Sequence, residues 1–191
     1  MLVGRAGLSP IMVGRAAELS RLRGLIGASP VPTVALIAGE AGIGKTRLVQ
    51  ELVGGAPPGM LVLAGQADPG TVGRPMELVL DALRHAEVEG HAELVAVVRD
   101  PSRSAEERVG AGVALVRQLT DGHTGLVVFE DLHWADSESL ATFELLAEPE
   151  SGPLVVVGTY RPDGLSRATP PPTCSPASSA GTRSPTCSSA G

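Results

Sequence analysis

Residues 39–46 read Gly39-Glu40-Ala41-Gly42-Ile43-Gly44-Lys45-Thr46 and fit the pattern G-x-x-x-x-G-K-[ST]. The apolar run Val34-Ala35-Leu36-Ile37-Ala38 stands directly before them and a helical pattern directly after. That strand, loop and helix setting makes the pattern specific. Its glycines let successive backbone N–H groups turn inward around a polyphosphate, Lys45 reaches the terminal phosphates, and the Thr46 hydroxyl can ligate Mg²⁺. Composition adds an independent argument, because of the 15 Lys and Arg residues only Lys45 is a lysine. A chain that elsewhere uses arginine has kept a compact, flexible ammonium where a phosphate-cradling loop wants a point charge.

Outward from the loop, a strand is expected over 34–38, continuous in hydrophobicity as buried parallel strands are. The helix after the loop is expected over 45–53, with Leu48, Val49, Leu52 and Val53 inward and Gly54-Gly55 stopping it. Its N-terminus adds the positive end of a helix dipole to the phosphate site. Upstream, Leu19, Leu22, Leu25 and Ile26 recur at helical spacing within 12–27. Val13-Gly14-Arg15, just ahead, either lines a nucleotide base or forms a turn with a solvated arginine. Downstream come a strand over 60–64, a polar glycine-rich loop over 65–75, and two helical pieces over 76–99 broken near Gly90. Ser104 and Glu107 then form a capping-box signature ahead of Val109, Val113 and Val116. The alternation of strands and helices predicts a doubly wound α/β fold with a parallel sheet.

The next strand, Leu126-Val127-Val128-Phe129, runs into Glu130-Asp131-Leu132-His133-Trp134-Ala135-Asp136. Adjacent carboxylates at the end of a buried strand are costly unless a cation stands nearby. A Mg²⁺ ion on a nucleotide in the phosphate loop supplies one, and open α/β sheets bind ligands at these strand ends. The pair therefore reads as a Walker B element, with Glu130 holding Mg²⁺ and Asp131 orienting or deprotonating the attacking water. Asp136 and Ser137 read as helix caps. The last strand, over 154–158, ends in Thr159-Tyr160-Arg161-Pro162, where a polar residue can touch the γ-phosphate and Arg161 can sense it. A surface arginine before a proline is the plainer reading of Arg161.

With 191 residues, 43% hydrophobic and 19% charged, the chain has material for one ordinary domain with a core. Only 2% of residues are aromatic, so that core is aliphatic. The net charge of −6 and the lack of a basic tract exclude nucleic-acid binding through this segment. No apolar run is long enough to span a membrane, and Met1 to Gly14 has no compact apolar signal core, so a cytoplasmic location is expected. Cys174 and Cys187 have no metal-ligand companions.

Together, Val13-Gly14-Arg15, the stretch from Gly39 through Lys45-Thr46-Arg47-Leu48, Glu130 to Asp136, and Gly158-Thr159-Tyr160-Arg161-Pro162-Asp163 resemble the STAND-class AAA ATPase domain. Such domains precede helical repeats and LuxR-type DNA-binding modules in large bacterial regulators. The resemblance covers about residues 12–165. It implies a P-loop NTPase sheet ordered 5-1-4-3-2, binding of ATP or ADP with Mg²⁺, a nucleotide-dependent switch with slow hydrolysis, and self-association in the intact family. It also extends the binding set to Arg47.

Residues 1–11 are expected to be an N-terminal extension and 166–191 a Pro/Ser/Ala-rich disordered tail. The tail falls where the family continues with a helix and a fifth strand. A one-base frameshift accounts for both facts, since re-reading 168–191 one frame over, with G or C at most third positions, yields a leucine-patterned, charged string. A natural disordered linker is the alternative. On the frameshift reading the ATPase core is truncated, strand five is missing, its neighbour is left with an open edge, and hydrolysis is weak. Two other functions stay open: a P-loop small-molecule kinase, disfavoured by the Glu130-Asp131 pair, and a nucleotide-binding interaction module without turnover.

Overall fold

Four runs of Val, Leu, Ile and Ala form the sheet: β1 (Thr33–Ala38), β2 (Leu61–Gln66), β3 (Gly125–Glu130) and β4 (Leu154–Tyr160). The computed structural model describes residues 14–71, 74–84, 86, 88–120, 123–162 and 187–188. All pairings are parallel, in the order β2-β3-β4-β1. β3 and β4 are buried along almost their whole length, which is why they read as unbroken apolar runs rather than alternating ones.

Alternate residues of these strands feed two cores. Leu126, Val128, Val155 and Val157 face a layer built on α1 (Ala16–Leu25) and α2 (Lys45–Gly54), through Leu19, Leu22, Leu48, Val49 and Leu52. Val127, Phe129, Leu154 and Val156 face α3 (Glu77–Leu83), α4 (Ala92–Arg99), α5 (Ala105–Thr120) and α6 (Ser137–Leu146). Helices on both faces of a parallel sheet make this the doubly wound P-loop NTPase fold expected from the sequence.

The helix starts follow the local chemistry. Ser104 and Glu107 close their capping box reciprocally, with Ser104 N donating to Glu107 at 2.8 Å and Glu107 N to Ser104 Oγ at 3.2 Å. Asp136 caps α6, accepting from the backbone of Glu138 and Ser139. Arg108, buried in α5, donates to Glu138 of α6 at 2.5 and 2.7 Å and to the carbonyls of Asp100, Pro101 and Arg103. The Glu138 carboxylate beside it raises the pKa of the guanidinium.

Two expectations need correction. β2 does not stop at Ala64 but runs through Gly65 and Gln66, which pair with Phe129 and Glu130. The place beside β1 is not empty either. Cys187–Ser188 forms a two-residue β5, parallel to β1 at Ile37 and Ala38, in the position that the order 5-1-4-3-2 gives its fifth strand. Two residues of the segment read as a disordered tail thus enter the sheet, where main-chain groups of β1 can be paired. The 1–11 extension, Val13, Asp163 and the rest of 166–191 lie outside the described residues. Among the described residues, no helix is long and apolar enough to cross a membrane.

Candidate functional site

Because every strand is parallel, the C-terminal ends of β1, β4 and β3 lie side by side on one edge. Register makes this specific: Ala38 pairs with Tyr160, and Phe129 with Gly158. The loop after β1, the pair after β3 and Arg161 after β4 are therefore neighbours, although they are distant in sequence. Gly39 N donates to Tyr160 O at 3.3 Å and ties the first residue of the loop to the end of β4.

Gly42 and Gly44 adopt φ of 77° and 94°, left-handed conformations that glycine takes without strain. They turn the chain into α2, whose first turn has no acidic residue and whose N-cap, Gly44, has no side-chain acceptor. The helix end thus keeps its N–H groups and its partial positive charge for an outside anion. Lys45 is only 7% exposed and donates to the carbonyls of Gly39 at 2.7 Å and Glu40 at 2.9 Å. These bonds curl the ammonium back into the loop rather than out to solvent. Glu40, Ala41 and Gly42 are exposed, while Ile43, Gly44 and Thr46 are half-buried. An open, N–H-rich loop with one inward cation, leading into a helix whose first turn carries no acidic residue, fits a polyphosphate.

Glu130 is the last residue of β3, half-buried, with its carbonyl accepting from Ala67 N at 3.0 Å. Asp131 follows at φ 58°, ψ 44°. Its backbone N–H donates to Thr159 Oγ1 at 2.9 Å, and its Oδ2 accepts from Gln66 Nε2 at 2.8 Å. The short turn Leu132–Trp134 then carries the chain toward Asp136. Arg161 is half-buried, and its Nε has no hydrogen-bond partner among the described residues.

Not every expected residue converges on this edge in the same way. Arg47 pairs with Glu51 one turn along α2 at 2.5 Å, so its guanidinium runs along the helix. Gly14, at φ 86°, and Arg15 stand at the start of α1, with Arg15 Nε 3.8 Å from Glu18. Gln66 was missed from sequence, as was the bond between Thr159 and the Asp131 backbone. The signal for Gln66 is its polarity at a parallel strand end, hidden because the apolar run over 60–64 ends before it. Among the described residues, no group of three or more His, Cys, Asp and Glu side chains is placed to hold a metal ion without help.

No curated protein matches the chain. A family model described as an AAA ATPase domain matches residues 12–157, a span that runs from ahead of α1 to within β4 and holds both the phosphate loop and the acidic pair. The match covers well over half of the chain, and with the fold and the strand-end site it shows that the chain belongs to the AAA ATPase domain family, whose members are nucleotide-binding ATPases.

Proposed function

We propose that the chain is an ATP-binding domain of the STAND class that hydrolyses ATP slowly and acts as a nucleotide-dependent signalling or transcription-regulatory switch. The observation that carries this reading is the convergence, on one sheet edge, of the glycine-turned loop with Lys45 curled into it, the Glu130-Asp131 pair, and Arg161. In it, the backbone of Gly39 to Arg47, which forms a Walker A loop, cradles the phosphates, and Val13, Gly14 and Arg15 flank the base. Thr46 and Glu130 would hold Mg²⁺, which when bound supplies Lewis-acid charge to the phosphate oxygens. Asp131, from the Walker B segment, orients and deprotonates the attacking water. On this reading Arg161, next to the residue that holds Gly39, registers loss of the γ-phosphate and passes it to β4. ATP and ADP are the proposed ligands, and contacts between copies belong to the same reading.

Binding and hydrolysis of ATP by the wild type, Lys45→Ala and Asp131→Asn test this. Lys45→Ala should lose both. Asp131→Asn should keep binding while turnover falls by roughly 10²-fold or more, as for removal of a general base. A wild type that does not bind ATP, or an Asp131→Asn protein that turns over at the wild-type rate, contradicts the reading.

A further inference from the structure

Asp131 keeps a left-handed backbone, which a non-glycine residue holds only where its surroundings fix it. Thr159 Oγ1 takes its N–H, Gln66 Nε2 holds its Oδ2, and the next residue, Leu132, is buried. The grip of Gln66 has its own support. The Gln66 backbone N–H donates at 2.8 Å to Asp81 Oδ2, which comes from α3. The start of α3 is fixed in turn. Met76, the other non-glycine residue with positive φ among the described residues, donates its N–H at 3.0 Å to Asp136 Oδ1. Asp136 ends the short strap that Asp131 begins, so the path closes on itself: Asp131, Gln66, Asp81, α3, Met76, Asp136 and back.

We propose that Asp81 is a positioning residue for Asp131, acting through Gln66. The inference rests on the reading of Asp131 as the hydrolytic acid. Asp81 fixes the backbone of Gln66, and that backbone aims the side-chain amide holding one oxygen of the Asp131 carboxylate. That bond engages Oδ2 alone, so on this reading Oδ1 is the oxygen that would act on the water. Asp81 also pairs with Arg84 at 3.2 Å, but Arg84 is 62% exposed, and such a pair contributes little.

Two measurements test the proposal on the full chain. In nucleotide-free, ¹⁵N-labelled protein, Asp81→Ala should move the Gln66 side-chain amide and Asp131 backbone amide resonances together. Asp81→Asn, which keeps an acceptor oxygen, and Arg84→Ala should leave both in place. In steady-state hydrolysis, Asp81→Ala should lower kcat roughly tenfold, as slight misplacement of a reacting group does, with KM for ATP within about twofold. Asp81→Asn should restore kcat, and Gln66→Ala should add nothing to Asp81→Ala. Asp81→Ser, a milder truncation, repeats the test if Asp81→Ala does not fold. Unmoved Asp131 resonances with unchanged kcat, or additive effects of Gln66→Ala and Asp81→Ala, overturn the proposal. A wild type without turnover refutes the functional reading instead, while the resonances of the nucleotide-free protein still decide the positioning claim.

Discussion

Replacing Gly65 by alanine should destabilise the protein through one well-defined collision. A Cβ on Gly65 would stand 2.5 Å from the Leu78 carbonyl oxygen, 2.7 Å from Ala82 N and 3.0 Å from Ala82 Cβ, where ordinary contacts lie at 3.4–4 Å. The first two atoms are helix backbone and cannot swing aside, so α3 must retreat from β2 by about 1 Å or β2 must buckle. Overpacking of this kind costs about 1–3 kcal/mol. A retreat of α3 also stretches the bond from Gln66 N to Asp81, worth about 1 kcal/mol. A total of about 2–4 kcal/mol corresponds to a fall in Tm of roughly 6–12 °C for a chain of this size. Thermal and urea unfolding followed by far-UV circular dichroism reads the effect. Gly110→Ala is the matching control: a Cβ there meets nothing within 4 Å, and the residue lies inside α5. The same chemical change should therefore stabilise by about 0.5–1 kcal/mol. A Gly65→Ala protein as stable as the wild type would refute the close packing of α3 on β2.

Asp136→Ala should cost about 1–2 kcal/mol, since it removes the α6 cap and orphans the Met76 N–H, whereas Asp136→Asn keeps the accepting oxygen and should cost less; urea midpoints compare the two. The capping bonds from Ser104 hold the Glu107 carboxyl below its ordinary value of 4.5. A depressed folded-state pKa contributes stability that is present above 4.5 and lost as pH falls through the lowered folded value. The stability advantage of wild type over Glu107→Gln should accordingly shrink between neutral and strongly acidic pH, and an advantage independent of pH would contradict this.

How much of this was legible from sequence follows from which interactions are local. The turn from β1 into α2, the caps at Ser104 and Asp136, and the apolar strands β1, β3 and β4 are set by residues within a few positions of one another, and each formed about where its pattern placed it. Parallel pairing then put the ends of β1, β3 and β4 on one edge, which makes Glu130, Asp131 and Arg161 neighbours of the loop after β1. Gly65 and Gln66 were misjudged for a physical reason. A glycine after a strand resembles a loop residue, but here it is the spot where a helix backbone presses on the sheet, and its neighbour holds the acid. Contacts such as Gln66 to Asp131, Thr159 to Asp131 and Arg108 to Glu138 join residues about 30 or more positions apart. No local pattern encodes them. Cys187–Ser188 entered the sheet from a segment whose composition shows no strand periodicity, because β1 presents main-chain groups whatever side chains the incoming segment carries.

The central claim is that Lys45 and the loop around it form a nucleotide phosphate site. Isothermal titration of the wild type and Lys45→Ala with ATP and Mg²⁺ tests it most directly, with far-UV spectra to show that both are folded. The account predicts saturable binding by the wild type, and loss of about 2 kcal/mol or more, at least roughly 30-fold in affinity, when the charged donor is removed. Equal affinity in the two proteins would contradict it.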